Sequence, residues 1–298
     1  MPAVRSTRPQ PCRGDVMDTS AITDSFDEHI DDALNWIGDN AAWLFDSIRT
    51  VLEGAYDGVL WLAQLPPFYV IALLAALLGW RLMNGRAGLL TGIAMLGCAV
   101  MGLWAETMST LALVITATFM ALMIGIPLGV LAGFVKTFDK IVEPVLDLVQ
   151  TLPPYIYLLP AIALMGYGPA TALLATVIVA VPPAIRLTSL GIRRTPHEFI
   201  ELGQASGLTP WQMFVKIRLP FAIPSVMAGI NQSLMMAFGM VVIAGIVGSG
   251  GLGETIYGAV RTLDIATSIN AAIAIVILTM VIDRLTQSAA RRNTGGIS

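Results

Sequence analysis

Gly248-Ser249-Gly250-Gly251-Leu252-Gly253 has the G-x-G-x-x-G spacing with which a backbone wraps a dinucleotide pyrophosphate. That chemistry needs a strand before the glycines and a helix after them, inside a βαβ unit. Here a long apolar run precedes them, so they read as a tight, backbone-permissive turn. The phosphate-binding G-x-x-x-x-G-K-[ST] loop is missing too, because Lys136, Lys140 and Lys216 each follow a residue other than glycine. No cofactor is expected in this chain, and any ATP that drives it must be bound and hydrolysed by a separate subunit. His29 and His197 lie far apart, and Cys12 and Cys98 make neither a disulfide framework nor a metal site. A membrane-embedded enzyme would need a nucleophile–base set or mid-depth histidines, and neither histidine falls in an apolar run. The chain is not expected to be an enzyme.

The other polar interruption is Thr195 to Pro220, TPHEFIELGQASGLTPWQMFVKIRLP. Its spacing predicts two short helices. Thr195 with Glu198, and Thr209 with Gln212, have the capping-box pattern, each followed by proline at the first helical position. Gly207 stands where a helix ends in a left-handed residue, and Pro220 is expected to stop the second helix. A DNA-binding helix–turn–helix is excluded by context, since only Arg193, Arg194, Lys216 and Arg218 offer charge to phosphates. No nucleic-acid partner is expected.

The elements that carry this loop are apolar. The chain has 298 residues, 56% hydrophobic and 12% charged, with a formal net charge of −3. Soluble domains carry about a quarter charged residues, so an all-α integral membrane protein in contact with lipid is expected. Residues 1–14 contain Pro2, Pro9 and Pro11 and are expected to be disordered, with Met17 a second candidate start. Residues 15–67 form an acidic, amphipathic tail, with apolar positions at Ile30, Leu34, Ile37, Ala41, Leu44, Ile48, Leu52 and Ala55. It reads either as a helix against the membrane or the spans, or as a contact for an outside partner. Seven apolar stretches follow, near 68–83, 87–105, 107–135, 152–167, 169–190, 221–247 and 268–286, giving a membrane domain over 68–288 and a tail over 289–298.

Basic residues set the orientation. Arg81 and Arg86, Lys136 and Lys140, Arg186, Arg193 and Arg194, and Arg291 and Arg292 all fall on one face when seven spans are counted. That face is cytoplasmic, so the 195–220 loop and the C-terminus lie inside and the acidic N-terminus outside. Ionisable residues are scarce at mid-depth, which disfavours an ion-coupled secondary carrier.

Glu201-Leu202-Gly203, three residues, Gly207, nine residues, and Ile217-Arg218-Leu219-Pro220 resemble the EAA loop of ABC-importer permeases. The two alanines of that motif are Leu202 and Gly203 here; Glu201, Gly207, Ile217, Leu219 and Pro220 match. From about Leu62 to Gln287 the chain is similar to the permease subunits of glycine betaine/proline betaine importers, a subgroup that includes choline and carnitine systems. Gln150-Thr151-Leu152-Pro153-Pro154, Met227 to Met236 and Ile282-Asp283-Arg284 carry that resemblance. The resemblance implies the type I ABC-importer permease fold in a bacterial cytoplasmic membrane. It also implies a homodimer with an ATPase subunit and an extracytoplasmic substrate-binding protein. Asn231, Gln232, Ser233, Met235 and Met236 are candidates for the translocation path, or else small and polar packing residues between helices. Betaine, choline and carnitine are not separable from these residues.

Overall fold

The computed structural model describes residues 40–294 without a break, together with His29, Asp32 and residues 36–38. The expected disorder of 1–14 and the apolar positions Ile30 and Leu34 lie outside the described residues. Where no water is available to backbone N–H and C=O groups, a helix satisfies them internally, and the described residues contain helices and no strand. In order these are α1 (Ala42–Gln64), α2 (Phe68–Leu82), α3 (Gly85–Val100), α4 (Trp104–Phe134), α5 (Lys136–Thr151), α6 (Leu158–Met165) and α7 (Pro169–Arg193). The second half holds α8 (His197–Ala205), α9 (Pro210–Met213), α10 (Leu219–Ala244), α11 (Gly251–Thr262) and α12 (Ile265–Thr294).

The core is α4, α7 and α10. Gly125, Gly129 and Gly133 recur every four residues on α4, so they form one stripe without side chains. A Cβ at these positions would stand 2.6 Å from Ala184 Cβ, 2.7 Å from Ile185 O and 2.9 Å from Ile192 Cβ, respectively. The partner numbers rise with the glycine numbers, so α4 and α7 run in the same direction, backbone against backbone. In hydrocarbon, where lipid is as apolar as leucine, such close van der Waals packing is a main source of helix association. α10 returns antiparallel, with Gly191 of α7 against Ala222 and Gly229 against Pro183 and Leu187. α12 then runs antiparallel to α10, tied to it where Thr286 Oγ1 donates to Asn231 Oδ1 at 3.1 Å. Phe134, Arg193 and the start of α10 therefore share one end of the bundle, here termed the coupling end.

The seven apolar stretches do not become seven straight spans. Among the described residues four helices are long and apolar enough to cross alone: Trp104–Phe134, Pro169–Arg193, Pro210–Val247 and Ile265–Ala290. Ala42–Gln64 with Phe68–Leu82, and Lys136–Thr151 with Pro154–Met165, are pairs bent by 92° and 104°, giving up to six spans if each pair is one. Prolines set both breaks, Pro66-Pro67 in the first and Pro153-Pro154 in the second. The expected span at 152–167 is a 3-10 turn followed by the eight residues of α6, about 12 Å at 1.5 Å per residue, too short for a bilayer core of about 30 Å. Its other half is α5, whose polar face the hydropathy pattern hides: Asp139 pairs with Arg193, Asp147 with Arg186, and Ser189 Oγ donates to Asp139 at 3.2 Å.

α1 packs along α4 and α7 rather than standing apart. Tyr56 Oη and Ser109 Oγ share a hydrogen bond of 2.5 Å, while Ile48 and Leu52 lie further along with Met120 and Ile124, so α1 runs antiparallel to α4. Leu52 is buried as its periodicity predicts; Leu44 is exposed, and Phe45 takes the inward position one residue on. At the far end of the bundle Gly248, Gly250 and Gly251 all have positive φ, forming the backbone-permissive turn their residue types predict, and a helix precedes them where a dinucleotide loop has a strand. Leu252 N–H donates to Thr110 Oγ1 at 2.8 Å, seating the start of α11, a helix that hydropathy alone passes over. α12 is capped by Asp264, which accepts from Thr267 N–H and Oγ1; those bonds hold its carboxyl below the usual range. α12 continues through Thr294, so the tail expected from 289 begins as helix.

Candidate functional site

The segment after α7 begins with a departure from its sequence pattern. Thr195 does not cap α8: its Oγ1 donates to Ile192 O at 3.0 Å, closing α7, and the residue is buried. Pro196 takes the N-cap position of α8 without a side-chain bond, because the helix starts one residue later than the pattern requires and the Thr195 hydroxyl is already bonded to Ile192 O. The second capping box forms as expected, with Gln212 N–H donating to Thr209 Oγ1 at 3.3 Å and Thr209 N–H to Gln212 Oε1 at 3.0 Å.

Between these, α8 ends in a full Schellman arrangement. Gly207 N–H donates to Gln204 O and Leu208 N–H to Gly203 O, both at 3.0 Å, with Gly207 at φ +70. Gly203 is buried, and a Cβ there would meet Met213 Cε at 2.6 Å and Ile217 Cδ1 at 2.7 Å. The glycine that stands in place of a motif alanine thus lets Met213 and Ile217 close onto α8, joining both halves of the sequence motif. Glu201 and Leu202 remain exposed on the other side, with Glu201 within 3.0 Å of His197 Nδ1.

Pro220 does not stop the second helix. α9 widens into a π turn at Phe214–Arg218, and Leu219 and Pro220 open α10, making Pro210–Val247 one continuous 38-residue helix. The wider turn relieves the clash a proline ring makes with the carbonyl four residues back, and it does so where the N–H would be lost. Force applied to α9 therefore acts directly on a membrane-crossing helix. Aromatic contacts fix the assembly to the bundle: Phe199 on Phe221 at 4.8 Å, Phe214 on Phe134 at 5.7 Å, and Arg218 over Phe134 at 4.9 Å. Trp211 packs on Phe214 yet is 71% exposed, beside exposed Leu202 and Phe199 on the same loop. Motif matching alone passes over Trp211 and Phe199; the signal available was three aromatic residues inside a polar loop.

The candidates on α10 divide between two faces, since consecutive residues turn by about 100°. Asn231 and Gln232 line a cavity of about 470 Å³ near the coupling end, together with Met227 and Gln287. Ser233 points the other way, fully buried with its hydroxyl unpartnered. Met236 packs against the main core and Met235 is half-buried. Asn231 is also an interhelical tie, through its bond from Thr286.

A buried three-helix core, a broken helix pair and an exposed helical loop continuous with a span describe a transport component. The model of the binding-protein-dependent transport system inner membrane component family matches residues 125–294, which include the whole loop and the α10 candidates. The chain belongs to that family. It is 36% identical over 265 residues to the glycine betaine/proline betaine transport system permease protein ProW of Escherichia coli, covering 89% of this chain and 75% of that one. It is 39% identical over 259 residues to the glycine betaine transport system permease protein OpuAB of Bacillus subtilis, covering 87% and 92%. Among solved structures it is similar to the methionine ABC transporter MetNI in an inward-facing conformation. The TM-score is 0.54 at 25% identity, over 64% of this chain and 93% of that chain. The chain is thus an inner-membrane ABC permease with several membrane-crossing helices. Permeases of this family act with an ATPase subunit and a binding protein.

Proposed function

We propose that the chain is the translocating subunit of an ATP-driven importer for glycine betaine, proline betaine or a related quaternary ammonium osmolyte, working as a homodimer. The observation that carries the reading is the continuity of α9, the π turn and α10, with α8 locked onto them through Gly203. An ATPase dimer closing on Glu201, Leu202 and Trp211 would move α10, and with it Asn231 and Gln232. The relatives' printed names supply the substrate class. No nucleotide site is proposed in this chain; ATP belongs to the partner.

The coupling end is cytoplasmic, in keeping with Arg193, Arg194 and Lys136 clustered there, and so is the C-terminus. The α11 end lies outside; because α1 runs antiparallel to α4, its Ala42 end stands toward the coupling end, so residues 42–64 of the tail expected outside instead pack along the bundle. In a Cys12→Ser background, Thr262→Cys is expected to react with an impermeant maleimide in intact spheroplasts, and Ser206→Cys only after permeabilisation. Buried Cys98 stays silent in both. The reverse pattern would invert the orientation.

Purification from native membranes in mild detergent is expected to bring an ATPase, and in proteoliposomes its rate should rise with betaine-loaded binding protein. Stimulation by choline- or carnitine-loaded protein instead would keep the machine and change the cargo. Uptake on an ion gradient, without an ATPase, would end the reading.

A further inference from the structure

At the end of the bundle away from the coupling loop, a cavity of about 410 Å³ opens between the Tyr167–Gly168 turn, the Gly245–Gly248 bend and α11. Its volume is within the range of small-molecule sites. Four chemically distinctive side chains line it: Tyr167, Glu254, Tyr257 and Arg261. The frame is fixed. Gly168 N–H donates to Val247 O at 3.0 Å, pinning the Tyr167 turn to the bend, and Gly250 N–H donates to Glu254 Oε2 at 2.7 Å. The Arg261 guanidinium stands 5.7 Å from the centroid of the Tyr257 ring, so a cation already rests on one aromatic face of the cavity. Tyr167 is 71% exposed, a ring placed on a turn where packing does not require it.

These groups suit a compact zwitterion. Aromatic faces and a carboxylate attract a quaternary ammonium, and a guanidinium pairs with a carboxylate in fork geometry. The cavities elsewhere lack this set. The one at Asn231 and Gln232 has amides without a ring or a charged group, and the one between α1, α4 and α7 has Ser47 as its single polar residue. Tyr167 closes one apolar stretch and Tyr257 lies outside them all, ninety positions further on in sequence, so only the fold brings them together.

We propose that this cavity is a receiving site: a zwitterion bearing a quaternary ammonium group is held here between its binding protein and the membrane path. The proposal rests on the importer reading above and extends it to named residues. On the proposed orientation the cavity faces outward, where substrate arrives.

The test uses the full complex in proteoliposomes with its binding protein and labelled glycine betaine. Both the maximal uptake rate and the binding-protein concentration giving half that rate are measured. Tyr257→Leu, Tyr167→Leu and Gly258→Leu are expected to lower maximal uptake about tenfold without moving the half-saturating concentration, and Tyr257→Phe to remain near wild type. Gly258 lines the cavity from within α11, and a Cβ there meets nothing within 4 Å, so leucine fills the space and leaves every charged group in place. Tyr167→Leu removes an exposed ring and so remains foldable even where a helix variant does not. Wild-type rates in Tyr167→Leu and Gly258→Leu would overturn the receiving site alone. A rise in half-saturating concentration that accounts for the loss would also overturn it, by marking a binding-protein contact. Wild-type vesicles that accumulate none of glycine betaine, proline betaine, choline and carnitine would overturn the importer reading, and the receiving site with it.

Discussion

Gly207→Val is expected to leave ATP hydrolysis running in the assembled complex while uptake falls by tenfold or more. Gly207 sits at φ +70 and donates one of the two bonds that end α8. Holding an L-residue in the left-handed region costs about 1–2 kcal/mol, and more where the side chain is β-branched. α8 has nine residues, well below the length at which an isolated helix is stable in water. Losing its C-terminal cap therefore frays the turn that positions Glu201 and Leu202, and no other part of the bundle is disturbed, since the space around Gly207 is open. Gly207→Asn is expected to retain most uptake, because asparagine tolerates this conformation. The measurements are ATPase rate and uptake on the same vesicles. Normal uptake by a well-folded Gly207→Val complex would remove the coupling role.

Gly129→Leu is expected to cost more, by preventing assembly of the core. Its Cβ would come within 2.7 Å of both Ile185 O and Thr188 Cβ, and the first of these is backbone that cannot rotate away. Overpacking ordinarily costs about 1–3 kcal/mol, and here the leucine must push α4 and α7 apart along the stripe that Gly125 and Gly133 share. The expected readout is loss of the monodisperse peak in detergent, or a large fall in its thermal midpoint. Gly54→Ala on α1 is the contrast. Nothing lies within 4 Å of an added Cβ there, so it should stabilise slightly, by about 0.5–1 kcal/mol, through reduced backbone entropy. Equal stability of Gly129→Leu and wild type would show that close α4–α7 contact is dispensable.

Local rules made much of this legible. The Thr209 capping box, the left-handed Gly207 and the end of α1 before Pro66-Pro67 depend on neighbours in sequence, and each formed as its residues predict. The same rules missed where a distant or competing partner intervened. The Thr195 hydroxyl had two acceptable uses, closing α7 or capping α8, and with the N-cap of α8 falling at Pro196 it serves the first. Pro220 reads as a stop, but the π turn before it absorbs the ring and joins loop to span. Residues 136–151 fall between two of the apolar stretches, yet they form α5, whose acids Arg186 and Arg193 of α7 hold against the bundle. α11 was hidden because its start is seated by Thr110, 142 residues earlier in the chain.

By itself the sequence determined that this chain is helical and lives in a membrane, since 56% hydrophobic content in long runs leaves no other way to satisfy the backbone. It also determined the local shape of the loop proposed to receive force, because the left-handed Gly207 and the Thr209 capping box are local conformational requirements. Tertiary structure alone decided how many stretches are unbroken spans, which face of α10 carries Asn231 and Gln232, and which residues share the cavity of Tyr167 and Tyr257. Each of those depends on contacts between residues far apart in the chain. Such contacts are selected by close packing of whole helices, and no local window of sequence carries that information.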